Sequence, residues 1–588
     1  MKQFFKFFTA SCLGTVAALG LIILFFAAYG GIMASQKPTI PKKTVLKLDL
    51  SGTIPEMTNN VASTGTFSLP EEALGLRRIK RLIEHAATDD RIGGIYIENT
   101  SVGAGQATLK SIRESITKFK ESGKFVYAYA DFMSQSAYYL ASAADSIFIN
   151  PQGMVDVKGY GTLVPFFTEM LEDLGVEMEV YYAGEFKSAT EPFRRTEMSP
   201  QNKLQTREFL QSMLSLYQSQ VAESRGMTIS QIDNIMTEYS GRTAKGALES
   251  GLVDGIAYID EVESMIRTNL DIDKDKKIRY KTLTEYDSGV TFDKETSKNK
   301  VAVIYAEGTV NYGTDEKGEI NETKYLKFIN KVRTDDKVKA VVLRVNSGGG
   351  SSLTSDIIWR ALEQVKEAGK PVIASFGDYA ASGGYYIAAG ADTIVAESNT
   401  LTGSIGVFAL LPNVSDLMTD KLGIYFDTVA THPMAIGLTP VYDPSKREEI
   451  YLKESVDDIY ETFLKRVADG RNMTRDEVHE IAQGRVWTGE KGKEIGLVDV
   501  LGSLEDAIEI AASSADLDDY KVVEYPFVKE SFLEQVVKGI AASDEATAAI
   551  GLNITDKEQA LINELRSTSQ IFMDRSPQAR LPFKLVID

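Results

Sequence analysis

The sequence predicts an α/β protein made of two tandem βαβ domains that follow an N-terminal transmembrane helix. Three observations support this fold class: most of the chain repeats itself at a spacing of about 247 residues, short β-branched runs alternate with helical segments, and an apolar segment opens the chain. A chain of 588 residues is expected to form several domains, each large enough to bury its own core.

The N-terminal segment from Phe7 to Gln36 contains no charged residue. About 20 apolar residues span a bilayer, whereas the apolar region of a cleavable signal peptide measures only about 7–15 residues. We therefore favour an uncleaved transmembrane anchor over a signal peptide, with residues 1–43 forming the anchor and its linker. Two folded domains follow this single anchor, so we expect the N-terminus in the cytoplasm and the body of the protein outside.

The internal repeat sets the domain boundaries. Asp131 to Ala141 aligns with Asp378 to Ala388, and further pairs such as Gly241 with Gly484 continue the alignment with small insertions. A long fixed period of this kind indicates duplicated domains rather than a solenoid. The predicted domains are an N-terminal repeat at residues 44–295, a C-terminal repeat at residues 296–528, and an extension without counterpart at residues 529–588.

Within each repeat, strand and helix patterns alternate. Residues 301–305 and 340–345 are short β-branched runs, which are typical of buried strands. Between Leu353 and Gly369, apolar residues recur at helical spacing, and Gly369 ends the run. This alternation predicts βαβ units with parallel strand pairing.

The composition excludes several classes of function. A formal net charge of −19 argues against a nucleic-acid partner and against electrostatic docking on anionic lipid. The single cysteine, Cys12, lies in the apolar segment, so the body of the protein cannot form an internal disulfide. The histidines are far apart in the sequence and no cysteine cluster accompanies them, so we predict neither a metal nor another cofactor.

The reactive residues are divided between the two copies of the repeat. In the repeat register Ser382 corresponds to Gln135, and Lys187 corresponds to Met434. One copy has kept a serine and lost a lysine, and the other copy shows the reverse. This complementarity predicts a serine–lysine hydrolase site that is assembled across both domains.

Ser382 stands at a predicted strand-to-helix junction. Residues 371–376 read as a strand, and the segment from Ser382 through Ala389 has helical character. Gly383 and Gly384 leave room for a substrate carbonyl, and the N–H groups at a helix N-terminus favour developing negative charge.

A second glycine-rich element, residues 346–351, also follows a predicted strand and precedes a helix. In this position the backbone N–H of Gly349 could point at the same substrate oxygen as that of Gly383, which would form an oxyanion hole. The alternative interpretation is that both glycine-rich elements are tight turns.

A nucleophilic serine needs a base, and the three histidines are poor candidates. His85 and His479 lie on predicted surface helices, and His432 in a loop is the only spare histidine. Lys187 is favoured instead, because burial can lower the pKa of an amine until it is neutral near pH 7. The alternative is an ordinary solvated surface lysine.

The predicted surroundings of Lys187 include two carboxylates and a hydroxyl. Glu185 and Glu191 would oppose the lowering of the lysine pKa, so we expect their side chains to point away from the amine. Ser404 is a further candidate whose hydroxyl would hydrogen-bond and orient the lysine. Its alternative interpretation is a serine in a β-turn.

Three segments, residues 344–351, 381–386 and 401–406, resemble the signatures of the signal peptide peptidase A family. The duplicated architecture, the single anchor and residues 185–188 resemble the long bacterial form of that family. The resemblance covers about residues 1–528 and implies two Clp/crotonase-like domains. It assigns the residues as follows: Ser382 as nucleophile, Lys187 as general base, Ser404 as partner of the lysine, and Gly349 and Gly383 as oxyanion donors.

The same resemblance implies a substrate class and a location. It implies that the protein degrades signal peptides left in the membrane after cleavage, and other hydrophobic peptides. It further implies a homotetramer on a single-pass anchor in the bacterial inner membrane, with the catalytic body on the periplasmic side. The chain departs from the family pattern at Gly348, where proline is usual, and glycine there loosens the loop.

Two other functions are open at this point. A crotonase-like enzyme acting on acyl-coenzyme A would also use paired glycine N–H groups, but the anchor and the serine–lysine complementarity argue against it. A membrane-anchored scaffold with a dead site is the second alternative, since Gln135 shows that one copy has already lost its serine. The peptidase hypothesis requires the amine of Lys187 to lie within about 3 Å of Ser382 in the folded chain.

Overall fold

The computed structural model describes residue 14 and residues 39–60, 73–292, 296–313, 318–526 and 578–580. Apart from residue 14, the predicted transmembrane segment from Phe7 to Gln36 lies outside the described residues. Within the described part of the chain, no helix is both long and apolar enough to cross a membrane.

The first half of the chain builds a six-stranded parallel sheet. The strands of this half are β1 (Thr44–Leu48), β2 (Ile92–Ile97), β3 (Phe125–Met133), β4 (Ser146–Val155), β5 (Glu177–Ala183), β6 (Gly255–Ile256) and β7 (Arg279–Thr282). The sheet has the spatial order β7-β1-β2-β3-β4-β6, and every neighbouring pair is parallel. Strand β5 is not part of this sheet.

Helices make the crossovers that parallel strands require. In the first half they are α1 (Leu76–Thr88), α2 (Gln106–Lys120), α3 (Gln135–Ala141), α4 (Thr168–Asp173), α5 (Pro200–Arg225), α6 (Ile229–Thr237), α7 (Ala244–Glu249), α8 (Ile259–Asn269) and α9 (Leu283–Gly289). Two 3₁₀ turns lie between them, Ser188–Phe193 and Ser240–Arg242.

The second half repeats this architecture. Its strands are β8 (Lys300–Glu307), β9 (Thr309–Asn311), β10 (Glu319–Asn321), β11 (Val338–Ser347), β12 (Gly349–Ser351), β13 (Val372–Ala381), β14 (Thr393–Ala396), β15 (Leu401–Gly403), β16 (Val407–Asn413), β17 (Val486–Thr488), β18 (Val500–Leu501) and β19 (Lys521–Tyr525). Its helices are α10 (Glu322–Thr334), α11 (Ser352–Glu367), α12 (Gly383–Ala388), α13 (Lys446–Arg471), α14 (Arg475–Ile481), α15 (Gly489–Glu494) and α16 (Leu504–Ser514), with a π turn at Leu417–Lys421.

The main sheets of the two halves have the same strand order. The second-half sheet runs β19-β8-β11-β13-β14-β18, which matches β7-β1-β2-β3-β4-β6 element by element. These six strands pair in parallel, and an edge formed by β15 and the antiparallel β17 completes an eight-stranded sheet. The chain is thus a mixed α/β protein whose halves share one topology.

A third sheet combines the two halves. Its order is β10-β9-β12-β20-β16-β5, where β20 is Gln578–Arg580. Strand β5 of the first half pairs antiparallel with β16 of the second half, from Ala183 opposite Val407 to Glu177 opposite Asn413. This pairing carries the chain that follows β5 into the second half.

A buried ion pair also joins the halves. Arg344 on β11 donates to both carboxylate oxygens of Glu56, with distances of 2.9 and 3.0 Å, and both side chains are almost completely buried. The same guanidinium donates to the carbonyl of Phe376 on β13 at 2.6 Å. A first-half loop is therefore anchored on the two strands that lead towards Gly349 and Ser382.

Candidate active site

Ser382 lies at the junction between β13 and α12. It is fully buried, and its backbone adopts φ 57° and ψ −120°, a region that residues with a side chain rarely occupy. Its N–H donates to the carbonyl of Gly403 at 2.8 Å, which helps to hold this strained turn. Strain of this kind concentrates at functional sites, where the surrounding structure enforces it.

Lys187 reaches Ser382 because β5 pairs with β16. Lys187 follows β5 closely, and Ser404 closely precedes β16, so the antiparallel register brings these two loops together. The Nζ atom of Lys187 lies 2.7 Å from Oγ of Ser382, 3.1 Å from Oγ of Ser404 and 3.2 Å from the carbonyl oxygen of Ser404. All three predicted side chains therefore meet at one point.

The environment of Lys187 favours the neutral amine. The side chain is 1% exposed, and burial lowers the pKa of the amine well below its ordinary value of 10.5. Glu185 is exposed, and the Glu191 carboxylate accepts from the N–H of Ser199 (3.1 Å) and from Nδ2 of Asn202 (2.9 Å). Both carboxylates are thus directed elsewhere.

The contacts of Lys187 match what a neutral amine can make. Such an amine has two hydrogens and one lone pair. Its hydrogens can go to Oγ and the carbonyl oxygen of Ser404, which leaves the lone pair to accept the hydroxyl hydrogen of Ser382. In this arrangement Lys187 can take a proton from the serine as it becomes a nucleophile.

Ser404 is held in place by its own backbone. It has a left-handed φ of 50°, it is fully buried, and its N–H donates to the carbonyl of Arg485 at 2.7 Å. A buried serine in this conformation presents its hydroxyl and its carbonyl oxygen to the same partner, the amine of Lys187.

The two glycines predicted as oxyanion donors differ in their present bonding. Gly383 is the first residue of α12, so its N–H has no acceptor within the helix. The N–H of Gly349 donates to Oγ of Ser347 at 3.1 Å. A substrate oxygen would have to replace that hydroxyl, so the role of Gly349 stays a prediction that requires this exchange.

A short strand from the C-terminal extension lies beside the site. Strand β20 runs antiparallel to β12 and to β16, with Ala579 opposite Gly350 and Gln578 opposite Phe408. An extended peptide segment therefore fits between the glycine-rich loop and the strand that follows Ser404. The sequence of residues 529–588 predicts no role for this extension, because a three-residue strand carries little sequence signal.

Gly484 is a second feature of the site that was not predicted from the sequence. It has a φ of +79°, and a Cβ added to it would lie 2.7 Å from the backbone of Lys187. A side chain at this position would displace the base. The signal was present in the sequence, since Gly484 has Gly241 as its repeat partner, but proximity to Lys187 was not visible there.

In the first half, the position that corresponds to Ser382 is occupied by a buried glutamine. Gln135 begins α3, is buried, and its Oε1 accepts from the N–H groups of Lys158 (3.1 Å) and Gly159 (2.9 Å). Met434, the counterpart of Lys187, is 39% exposed and lies in a loop. At the repeat position of Ser382, the first half therefore has an amide. At the repeat position of Lys187, the second half has an exposed thioether.

The histidines do not take part in the site. His85 contacts the hydroxyl of Tyr286 at 2.8 Å, and His479 contacts the hydroxyl of Tyr460 at 3.0 Å. His432 is exposed and contacts Thr431 at 3.1 Å. Among the described residues, no group of histidine, cysteine and carboxylate side chains could hold a metal ion.

Comparisons with known proteins identify a peptidase family and several named proteases. The sequence profile of peptidase family S49 matches residues 118–273 and 364–518, one segment in each half. The chain is 35% identical over 518 residues to Protease 4 of Salmonella typhi, covering 85% of this chain and 83% of that protein. It is 32% identical over 559 residues to the chloroplastic serine protease SPPA of Arabidopsis thaliana, covering 93% and 80%. It is 35% identical over 240 residues to a putative signal peptide peptidase SppA of Enterococcus faecium, covering 40% and 69%.

Proposed function

The chain belongs to peptidase family S49 and is a serine peptidase, and on this premise we propose that it is an endopeptidase whose dyad is Ser382 and Lys187. The observation that carries the proposal is the 2.7 Å contact between Nζ of Lys187 and Oγ of Ser382. The contact lies in a buried site where the pKa of the lysine is lowered, as a general base near neutral pH requires.

In the acylation stage of the proposed reaction, neutral Lys187 accepts the hydroxyl proton of Ser382 while Oγ bonds to the scissile carbonyl carbon. The carbonyl oxygen becomes an oxyanion and accepts the N–H of Gly383 and, after displacement of the Ser347 hydroxyl, that of Gly349. The ammonium of Lys187 is held meanwhile by Oγ and the carbonyl oxygen of Ser404.

Collapse of the tetrahedral intermediate breaks the C–N bond, and the ammonium of Lys187 gives its proton to the leaving amine. The acyl group is then bound as an ester on Ser382. In the deacylation stage, neutral Lys187 takes a proton from water while the water oxygen bonds to the ester carbonyl carbon. Collapse of this second tetrahedral intermediate breaks the C–O bond to Ser382, the ammonium of Lys187 returns its proton to Oγ, and the peptide leaves as a carboxylic acid.

We propose that the substrate binds as an extended strand between β12 and β16. The position of β20 in that slot supports this, because backbone hydrogen bonding in a sheet accepts many sequences. The substrate class that we propose is signal peptides left in the membrane and other hydrophobic peptides, consistent with the name of the Enterococcus faecium relative.

We further propose two tandem Clp/crotonase-like domains on a single-pass anchor within residues 1–43, with the body on the periplasmic side of a bacterial inner membrane. The uncharged segment from Phe7 to Gln36 supports the anchor. A homotetramer is supported by large apolar side chains exposed in both halves, including Leu163, Tyr425 and Val429.

The test is cleavage of a hydrophobic signal-peptide substrate by wild type, Ser382→Ala and Lys187→Met. We expect each substitution alone to lower turnover by about 10⁴-fold or more while circular dichroism stays that of the wild type. His432→Ala is the matched control and should cleave at the wild-type rate. Substantial cleavage by Lys187→Met would show that the base lies elsewhere.

The pH dependence gives an independent test. Lys187 must be neutral to accept a proton, so kcat/KM should fall as the pH drops below the lowered pKa of this amine. The expected slope on the acid side is about tenfold per pH unit. A kcat/KM that shows no acid limb at any pH at which the protein stays folded would contradict a lysine base.

A further inference from the structure

Gln205 on α5 is fully buried and bonds to both halves of the molecule. Its Nε2 donates to the carbonyl of Phe186 at 3.1 Å and to Oγ of Ser188 at 3.0 Å. Its Oε1 accepts the N–H of Val486 at 3.1 Å. Burying an amide is costly unless it is hydrogen-bonded, and here the bonds go to backbone and side-chain groups of two separate segments.

On the first-half side, these contacts bracket Lys187. Phe186 and Ser188 are its immediate neighbours in the chain, so the amide of Gln205 holds the loop on both sides of the base. The N–H of Phe186 donates in turn to the carbonyl of Gln483 at 2.9 Å. The loop is thus clamped at its two flanks, while the Lys187 side chain itself points at Ser382.

On the second-half side, Val486 belongs to β17, which pairs with β15 so that Val486 lies opposite Gly403. The carbonyl of Gly403 accepts the N–H of Ser382 at 2.8 Å, and Ser404 donates its N–H to the carbonyl of Arg485, the neighbour of Val486, at 2.7 Å. One side chain therefore connects the loop of the base to the strand pair that orients both serines.

We propose that Gln205 is a positioning residue that fixes Lys187 relative to Ser382 and keeps its amine buried. This inference rests on the proposed Ser382–Lys187 dyad and assigns a residue outside it. The hydrogen bonds of Gln205 reach neither the nucleophile nor the slot between β12 and β16, so its effect must pass through the loop of Lys187.

The charged groups around this loop make a pH effect specific to the lysine. Glu185 is exposed, and Glu191 is bonded to Ser199 and Asn202. Arg485, from the segment before β17, stacks over the Phe186 ring at 4.8 Å and pairs with Glu208 of α5 at 2.6 Å. A change at Gln205 removes no charge, so a shift in the pH profile would report the environment of the lysine.

The consequence for catalysis follows from geometry and desolvation. A misplacement of about 1 Å in a reacting group can lower the rate about 100-fold. A loosened loop would also admit water to the amine, and the pKa of Lys187 would rise towards its ordinary value of 10.5. More of the base would then be protonated at neutral pH.

The experiment compares Gln205→Met with wild type in the full-length chain by measuring kcat and KM from pH 6 to pH 10. We expect kcat at neutral pH to fall about 10- to 100-fold with KM nearly unchanged, and the acid limb of the profile to move to higher pH. The defect should therefore shrink as the pH rises. Gln218→Met is the matched control, since Gln218 is a buried glutamine of the same helix that bonds to Asp233 and not to the lysine loop.

Ser188→Ala keeps the inference testable if Gln205→Met does not fold, because it removes one of the two loop contacts of Gln205 from the other side. It should move the acid limb in the same direction by a smaller amount. An acid limb at the wild-type pH in both variants, or an equal shift in Gln218→Met, would overturn the inference. Lys187→Met distinguishes a failure of the proposed dyad from a failure of the inference about Gln205. If Lys187→Met still cleaves, the dyad is wrong. If it is inactive while Gln205→Met keeps the wild-type pH profile, only the inference about Gln205 fails.

Discussion

The two halves of the molecule have the same topology but carry different residues at the position of Ser382. In the second half, the residue that follows β13 is a serine that faces a lysine at 2.7 Å. In the first half, the counterpart of Ser382 in the repeat register is Gln135, whose side-chain carbonyl oxygen accepts two backbone N–H groups. The difference shows that a duplicated fold does not by itself duplicate a site, because the lysine that contacts Ser382 comes from the other half of the molecule.

Strand pairing explains why, in the part of the chain that the structure describes, a lysine contacts the serine of the second half. Strand β5 is not part of the sheet of its own half and pairs with β16 instead. Lys187, which follows β5, therefore lies against the other half. Met434, which stands where the second half would offer a base in return, lies in an exposed loop. In the proposed dyad, the first half thus supplies the base, and the second half supplies the nucleophile and the serine that orients the base.

The most severe test of this comparison moves the nucleophile to the first half. We expect Ser382→Ala combined with Gln135→Ser to be as inactive as Ser382→Ala alone, with a turnover about 10⁴-fold or more below that of the wild type. The reason is that the pairing of β5 with β16 places Lys187 against the second half, beside residue 382. Cleavage of a hydrophobic peptide is the measurement. Recovery to within about 100-fold of wild type would mean that the first half retains a usable base.

A paired glycine substitution separates catalysis from stability. Gly484→Ala places a Cβ 2.7 Å from the backbone of Lys187 and should lower kcat about 10- to 100-fold. A Cβ on its repeat partner Gly241 would lie 2.1 Å from the carbonyl oxygen of Val155, so Gly241→Ala should lower the free energy of unfolding by about 1–3 kcal/mol. The kcat of the folded Gly241→Ala protein should stay that of the wild type. Equal kcat losses in the two variants would break the comparison.

The strand from the extension has no counterpart in the repeat of the first half, and its removal should sharpen the contrast between the two halves. Proline at residue 579 cannot donate to the ladder, so Ala579→Pro should weaken the pairing of β20 with β12. We expect KM for a peptide substrate to fall about three- to tenfold, corresponding to roughly one net hydrogen bond. Ala579→Val retains the N–H and is the control. A raised KM would indicate that β20 helps to build the slot.

The residues Lys187 and Met434 also differ in their expected effect on stability. Lys187→Met should raise the free energy of unfolding at neutral pH, because folding of the wild type buries an amine that is protonated in the unfolded chain. Between the lowered pKa and 10.5 the unfolded wild type binds more protons than the folded one, so wild-type stability rises with pH and the advantage of methionine shrinks. Urea denaturation at pH 7 and pH 10 measures this. Met434→Lys at the exposed counterpart should change stability by less than about 0.5 kcal/mol at either pH.

Much of the fold could be predicted from the sequence. The β-branched runs at residues 301–305 and 340–345 lie in β8 and β11, and the helical pattern after Leu353 corresponds to α11. Helix α11 ends at Glu367, shortly before Gly369, whose φ of +78° suits a helix stop. These elements were predictable because the hydrophobic periodicity and the residues that end a helix are local properties of the chain.

The candidate site was predictable in its chemistry but not in its support. Ser382, Lys187 and Ser404 could be named, the first two because the repeat register exposes what each copy has kept or lost, and the third because its segment resembles a family signature. The contribution of Gln205 and Gly484 to the site could not be predicted, since neither a glutamine on a helix nor a glycine shared by both repeats indicates in the sequence which residue it contacts. The strand at Gln578–Arg580 is too short to carry a pattern.

The sequence by itself determined the duplication, the α/β class and which side chains are the candidates for reaction, because these depend on residue type and spacing along the chain. The tertiary structure alone decided that Lys187 lies 2.7 Å from a serine 195 residues away, in a site dry enough to lower its pKa. That contact depends on the antiparallel pairing of β5 with β16 across the two halves. Local patterns do not encode such a pairing, because its stability comes from packing and hydrogen bonds between segments distant in sequence.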